Sequence, residues 1–184
     1  MNWLLFSYRV PAQPSAVRVA IWRDLRQHGA VAVGTGLYAL PDRDTYLDVL
    51  AQLTERVSHG GGSAVAFRAT ALAEADERMI ADAFATARRE EYLQIVKSAR
   101  KLGEHIDRED QERDYRFAEV ESLEEELQKV RRQLALVVMR DVGPEANHPE
   151  ARAAIEQAAG RLQEYLEHAY RHDRDARSSG EADE

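Results

Sequence analysis

The strongest constraint on the fold is a regular apolar repeat between residues 117 and 139. Six apolar side chains follow one another at alternating steps of three and four residues, which places them on one side of an α-helix. They are Val120, Leu123, Leu127, Val130, Leu134 and Val137. A helix with a continuous apolar stripe has to bury it against other helices. The segment therefore predicts a helical bundle or a coiled coil.

Two neighbouring segments carry stripes of the same kind. One runs from Glu74 to about Arg108, and the other begins near Pro149, a residue suited to the first position of a helix. Their stripes are Tyr92, Ile95, Ala99, Leu102 and Ile106, and Ile155, Ala158, Leu162, Leu166 and Ala169. Residues 108–114 between the first two helices are almost wholly charged and permit either a turn or a continuous helix. A turn makes an antiparallel hairpin or three-helix bundle, whereas one long helix needs a partner chain.

The first 73 residues follow a different pattern, rich in glycine, proline and β-branched residues. Short apolar runs bounded by turn residues alternate with two amphipathic segments. We predict strands at 3–10, 30–33, 36–40 and 63–68 and helices at 15–28 and 42–59. The order β-α-β-β-α-β is the ferredoxin-like arrangement, although residues 30–40 also fit one bent strand. The predicted fold class is thus α+β: a ferredoxin-like domain followed by an antiparallel helical hairpin or three-helix bundle.

Charge and composition change at the same place. Residues 1–70 contain seven arginines and five acidic residues, which gives this segment a charge of +2. Because the whole chain has a charge of −8, the other 114 residues carry −10. We therefore predict a ferredoxin-like domain at 1–73, a helical domain at 74–172 and a disordered acidic tail at 173–184. The total charge argues against nucleic acid as a partner, but this argument applies only to the helical domain.

Several classes of protein are excluded or disfavoured by composition. The chain has no cysteine, which excludes disulfides, thiolate metal sites and a cysteine nucleophile. No apolar run is long enough for a signal peptide or a membrane span, so we expect a cytoplasmic protein without membrane association. The chain contains no phosphate-binding loop, no dinucleotide-binding glycine motif and no nucleophile elbow. We expect no enzymatic activity, no catalytic residues and no cofactor.

One group of residues has the spacing of metal ligands. Glu164, His168 and His172 follow one another at four-residue steps, so a helix places them on one face. Two imidazoles and a carboxylate can bind zinc or nickel. A solvated helical face is the alternative that we favour, because the sequence identifies no fourth ligand.

The first predicted helix carries a basic and aromatic face. Arg18, Trp22 and Arg26 recur at four-residue steps, with Arg23 beside them and the apolar stripe on the other side. Guanidinium groups pair with phosphate oxygens, and an indole ring stacks on a base or on an arginine. These four residues are our candidates for DNA binding, which would be weak and dependent on salt. The alternative is that Trp22 packs against a neighbouring helix and the arginines only solubilise the surface.

The chain resembles a known family in the segments that surround this helix. Residues 1–11 (MNWLLFSYRVP) and 14–23 (PSAVRVAIWR) carry the resemblance, which continues at 25–26, 28–30, 36–41, 89–92 (REEY) and 139–141 (MRD). These segments are similar to the N-terminal domain of the chromate-resistance regulator ChrB. The resemblance covers most of residues 1–172, and its opening motif is fairly specific.

The resemblance implies a bacterial transcriptional regulator that senses chromate and controls an efflux operon. It also implies that basic residues of the N-terminal part contact DNA, which agrees with Arg18, Arg23 and Arg26 as candidates. Longer family members carry a second, C-terminal domain, and we expect this chain to be a stand-alone form without it. Whether it binds chromate or relies on a separately encoded partner is left open. The alternative function is a dimerisation or interaction module that does not bind DNA and works with a separately encoded partner. We expect it to form a homodimer or to dock a helical partner protein.

Overall fold

The fold is an antiparallel sheet with two covering helices, followed by three long helices. The computed structural model describes residues 2–13, 15–141, 143 and 148–180, with residue 15 and residues 175–180 described by backbone alone. The strands are β1 (Asn2–Arg9), β2 (Val31–Gly34), β3 (Leu37–Pro41) and β4 (Ser63–Thr70). The helices are α1 (Ser15–Gln27), α2 (Thr45–His59), α3 (Glu74–Glu112), α4 (Phe117–Arg140) and α5 (Pro149–Gly180). The predicted α+β class is confirmed.

The four strands form one antiparallel sheet in the order β2-β3-β1-β4. β1 lies between β3 and β4, so that Leu5 is opposite Ala39 on one side and opposite Phe67 on the other. β2 and β3 are separate strands, joined by a tight turn in which Gly36 has a φ of +69°. That left-handed conformation favours glycine, which explains why a hairpin forms here and not one bent strand. The β-α-β-β-α-β order predicted from the sequence is therefore confirmed.

The two faces of β1 are buried in different cores. Leu4 and Phe6 point towards α1 and α2 and pack with Ile21, Leu25 and Val57. The alternation of side chains along a strand sends Trp3 to the other face. There it packs with the first turns of α3.

The contact between Trp3 and α3 combines stacking with a hydrogen bond. The rings of Trp3 and Phe84 lie 5.2 Å apart and nearly parallel, and Ile80 belongs to the same buried cluster. The indole Nε1–H donates to Glu77 at 3.3 Å. The beginning of α3 is thus part of the core of the sheet, although its composition resembles that of the helices that follow.

The three long helices bury their stripes against one another. Residues of α3, α4 and α5 form one continuous apolar cluster, in which Leu123 and Tyr165 are fully buried. Of the six α4 residues that predicted a bundle, four are buried and two pack at the edge of the cluster. The stripe is therefore covered within the chain, and α4 needs no partner chain to bury it.

The charged segment between α3 and α4 contains a turn. α3 ends at Glu112, and Arg113 takes a left-handed conformation with a φ of 55°. The amide of Asp114 donates to the carbonyl of Glu109, and that of Arg113 donates to the carbonyl of Asp110. This pair of hydrogen bonds is the Schellman motif, which ends a helix and satisfies its last carbonyls. α4 consequently folds back along α3.

The chain forms two compact units. Residues 1–88 and 140–144 belong to one unit, and residues 89–139 and 145–184 belong to the other. The division falls within α3, whereas the composition changes near residue 73. α5 continues as a helix over 173–180 of the segment predicted to be disordered, and residues 181–184 lie outside the described part. Among the described helices, none has the length and apolar composition to cross a bilayer.

Candidate functional site

The four residues proposed for DNA contact lie on the exposed side of α1. Ile21 and Leu25 are fully buried on its opposite side, as the spacing of the helix requires. Arg18, Arg23 and Arg26 are exposed, and 48% of the surface of Trp22 is accessible. The structure therefore brings all four candidates together on one solvent-facing surface, which we call the α1 face.

Trp22 and Arg26 form the centre of the α1 face. The guanidinium carbon of Arg26 lies 5.8 Å from the centre of the Trp22 ring, a cation–π arrangement. This contact holds a charged group and a flat ring side by side, both open to solvent. The pair can thus present a charge to a phosphate and a stacking surface to a base.

The charged side chains of α1 leave the α1 face positive. Its one acidic residue, Asp24, forms an ion pair with Arg56 of α2. Arg18 donates to the carbonyl of Ala12 at 2.8 Å, which fixes its side chain near the start of the helix. Within the described part of the chain, neither Arg23 nor Arg26 is paired with a carboxylate. Both guanidinium groups are therefore available to an anionic ligand.

A tyrosine beside the α1 face is held in its neutral form. Burial raises the pKa of Tyr8 to about 12, with a further contribution from the neighbouring hydroxyl of Tyr38, while Arg18 acts in the opposite direction. The two tyrosine rings stack with their centres 5.9 Å apart. Tyr8 therefore stays uncharged at alkaline pH as well, where an ordinary tyrosine would begin to add negative charge beside the α1 face.

The three residues with metal-ligand spacing on α5 have different surroundings. His168 Nδ1 lies 2.9 Å from both carboxylate oxygens of Asp110 on α3. The His172 ring packs against Tyr115, and Glu164 is exposed. Their ligand atoms form no cluster among the residues that the structure describes. The contact of His168 joins α5 to the end of α3.

Two tyrosines complete this end of the bundle. Tyr115 donates to Asp110 Oδ1 at 3.0 Å, and Tyr165 donates to the carbonyl of Asp114 in the turn. Burial raises the pKa of Tyr165 to about 12, and the nearby carboxylate of Asp114 adds to this shift. The hydroxyl thus keeps its proton and its hydrogen bond throughout the neutral range. These contacts hold the α3–α4 turn against α5.

The structure assembles another cluster that sequence spacing did not predict. His105 and Glu109 lie one turn apart on α3, and Glu119 lies in the first turn of α4. One ligand atom from each lies within 4.8 Å of those of the other two. The four-residue step from His105 to Glu109 is visible in the sequence. The approach of Glu119 depends on the turn at 113–116, which the sequence left open.

Together these elements define an α+β protein with a ferredoxin-like sheet domain, a basic α1 face and a three-helix bundle. The model of the family described as Protein ChrB, N-terminal, matches residues 18–176, which is most of the chain. The chain belongs to this family, and the resemblance seen in its sequence is confirmed. It is accordingly a ChrB-like protein associated with chromate resistance. No match was found among the curated proteins.

Proposed function

We propose that the chain is a transcriptional regulator of the cytoplasm that binds DNA through the α1 face. The observation that supports this most directly is the grouping of Arg18, Trp22, Arg23 and Arg26 on one exposed surface. The family match begins at residue 18 and so includes all four. The proposed role is DNA binding and transcriptional regulation, without enzymatic activity.

The α1 face has the groups that bind a DNA backbone. Arginine pairs with phosphate oxygens through two parallel hydrogen bonds, and every neutralised phosphate releases a condensed counterion. With three arginines in contact, the slope of log K against log salt is about −3. Because the helical domain is strongly acidic, the attraction is confined to the α1 face and weakens quickly as salt is added.

The test is a titration of fluorescently labelled DNA from upstream of the protein's own operon, followed by anisotropy at several salt concentrations. We expect the triple variant Arg18→Ala, Arg23→Ala, Arg26→Ala to bind more than about 10-fold more weakly and with a flatter salt slope. The matched control replaces Lys129, Arg131 and Arg132 of α4, which are also exposed, with alanine. It removes the same charge from the helical domain and is expected to change binding less than about two-fold.

Two outcomes would contradict the DNA-binding proposal. One is the absence of binding by the unmodified protein at low salt. The other is an equal loss in the two triple variants, which would show that only net charge matters. Thermal denaturation of each variant separates a binding defect from a folding defect, since Arg18 also donates to the backbone at Ala12.

A second candidate function is a dimerisation module, and β4 provides the observation that favours it. β4 is an edge strand, and Val65 and Phe67 on it are 58% and 48% exposed. Edge strands with exposed apolar side chains are ready to pair with another chain. Apart from Arg68, β4 is uncharged, so two copies can approach edge to edge without charge repulsion. A second copy of this chain is therefore the partner that we propose for β4.

Light scattering after size-exclusion chromatography tests this candidate. We expect a dimer at micromolar concentrations that the Phe67→Lys variant converts to a monomer, because lysine at an edge opposes pairing. The control is Leu93→Lys, which changes a similarly exposed apolar residue on α3. A monomeric unmodified protein would refute the proposal, as would a Phe67→Lys variant that still dimerises.

A further inference from the structure

A histidine and three carboxylates converge at the hairpin between α3 and α4. His105 Nε2 lies 3.4 Å from Glu109 Oε1 and 3.5 Å from Glu119 Oε1. Its other ring nitrogen, Nδ1, lies 3.7 Å from Glu126 Oε2. One imidazole is thus surrounded by carboxylates from two helices, on both of its nitrogens.

The distances at Nε2 are those of a tetrahedral donor set. When a zinc ion binds nitrogen and oxygen ligands at about 2.0–2.2 Å, tetrahedral geometry places the ligand atoms about 3.3–3.6 Å apart. Both distances from Nε2 to the carboxylates fall in that interval. The ligand atoms of His105, Glu109 and Glu119 all lie within 4.8 Å of one another, so the three side chains can converge on one ion.

The surroundings of the three ligands have the features of a supported metal site. Histidine ligands commonly donate their second ring N–H to a carboxylate, and Glu126 is placed beside that nitrogen. Glu109 is held by Arg108, which donates to its Oε1 at 2.9 Å, and only 10% of the Glu109 side chain is exposed. Arg108 Nε also donates to this Oε1, at 3.2 Å, so the other oxygen of the Glu109 carboxylate is the one left for an ion.

The charges at the cluster are also suited to a dication. The three carboxylates contribute −3 and Arg108 contributes +1, so that a neutral imidazole leaves −2 around the three ligand atoms. A groove of about 560 Å³ is lined in part by His105 and Glu126 and leaves this side of the imidazole open to solvent. Charge and ligand type therefore agree with one another.

We propose that His105, Glu109 and Glu119 bind a divalent transition-metal ion of the zinc class, with Glu126 orienting the imidazole and a fourth position open to water. The ion joins the last turns of α3 to the first turn of α4, across the turn at residues 113–116. It thereby stabilises the hairpin, since a ligand that binds only the folded state raises its stability. This inference is independent of DNA binding by α1.

Titration of the metal-free full chain with Co²⁺ tests the site, because tetrahedral Co²⁺ has intense visible absorption. We expect one tetrahedral Co²⁺ per chain, displaced by Zn²⁺, and a higher melting temperature with either ion. The variants His105→Ala and Glu119→Gln are each expected to weaken binding more than about 10-fold. Circular dichroism confirms that each variant is folded, and Glu119→Gln keeps the shape of the side chain if His105→Ala perturbs the hairpin.

The matched control is the variant Glu164→Gln, which changes the exposed carboxylate of the metal-ligand spacing on α5. It is expected to bind Co²⁺ as the unmodified protein does. The proposal is overturned if the unmodified protein shows no tetrahedral absorption or if His105→Ala and Glu119→Gln bind as tightly as it does. Loss of binding in the α5 control alone would also overturn it and would place the ion on α5.

Discussion

Replacing Trp3 with alanine is expected to lower the free energy of unfolding by about 3–5 kcal/mol, the range found for removing a large aromatic side chain from a core. Trp3 is 2% exposed and stacks on Phe84. Its indole N–H also donates to Glu77, so the alanine variant loses packing and a hydrogen bond at once. Because Trp3 packs between β1 and α3, its removal leaves a cavity that these two elements cannot easily fill by moving closer together.

The other tryptophan of the chain provides the control. Trp22 is about half exposed on α1, so the variant Trp22→Ala is expected to lower the unfolding free energy by less than about 1.5 kcal/mol. Urea denaturation followed by far-UV circular dichroism measures both variants without relying on tryptophan fluorescence. Equal destabilisation by the two substitutions would show that the core between the sheet and α3 is wrongly assigned.

A second large effect is expected from Leu123→Ala in the helical bundle. Leu123 is fully buried in the cluster that α3, α4 and α5 form together. Truncation of a buried leucine to alanine costs about 2–5 kcal/mol, which combines the lost transfer free energy with the cavity left behind. Alanine is a strong helix former, so the loss reports packing and not helix propensity.

Leu136→Ala is the matched control for this prediction, because Leu136 is on the same helix and 50% exposed. We expect it to lower the unfolding free energy by less than about 1 kcal/mol in the same urea experiment. If Leu136→Ala were the more damaging of the two, the face of α4 that packs inside the chain would be the opposite one. The apolar stripe of α4 would then be the surface that binds a partner chain.

The local elements follow closely from the sequence. Each predicted helix and strand is present, and its ends lie within a few residues except at the C-terminus of α5, which extends to Gly180. Turn residues such as Gly36 and Gly60 and the helix start at Pro149 act over short distances. The exposure of Trp22 and the neighbouring arginines also follows from local helix geometry. Once Ile21 and Leu25 are buried, the geometry of α1 directs Trp22 and Arg26 outwards.

Contacts between distant segments could not be predicted in the same way. Phe84 lies on a segment whose composition is that of the bundle, yet it packs on Trp3 of the sheet. His168 has the spacing of a metal ligand on α5, but its nearest partner is Asp110, 58 residues earlier in the chain. Neither contact has a periodic signal, because each depends on how whole helices are placed against their neighbours.

The sequence by itself determined the order of the elements, the two types of structure in the chain, the basic α1 face and the family. These depend on short-range periodicity, on turn chemistry and on motifs that are read along the chain. Only the tertiary structure decided that the charged segment before Asp114 turns back, that α3 contributes to two cores and that Glu119 meets His105. The physical reason is that a turn and a continuous helix differ little in local free energy, and burial of the α4 stripe within the chain selects the turn.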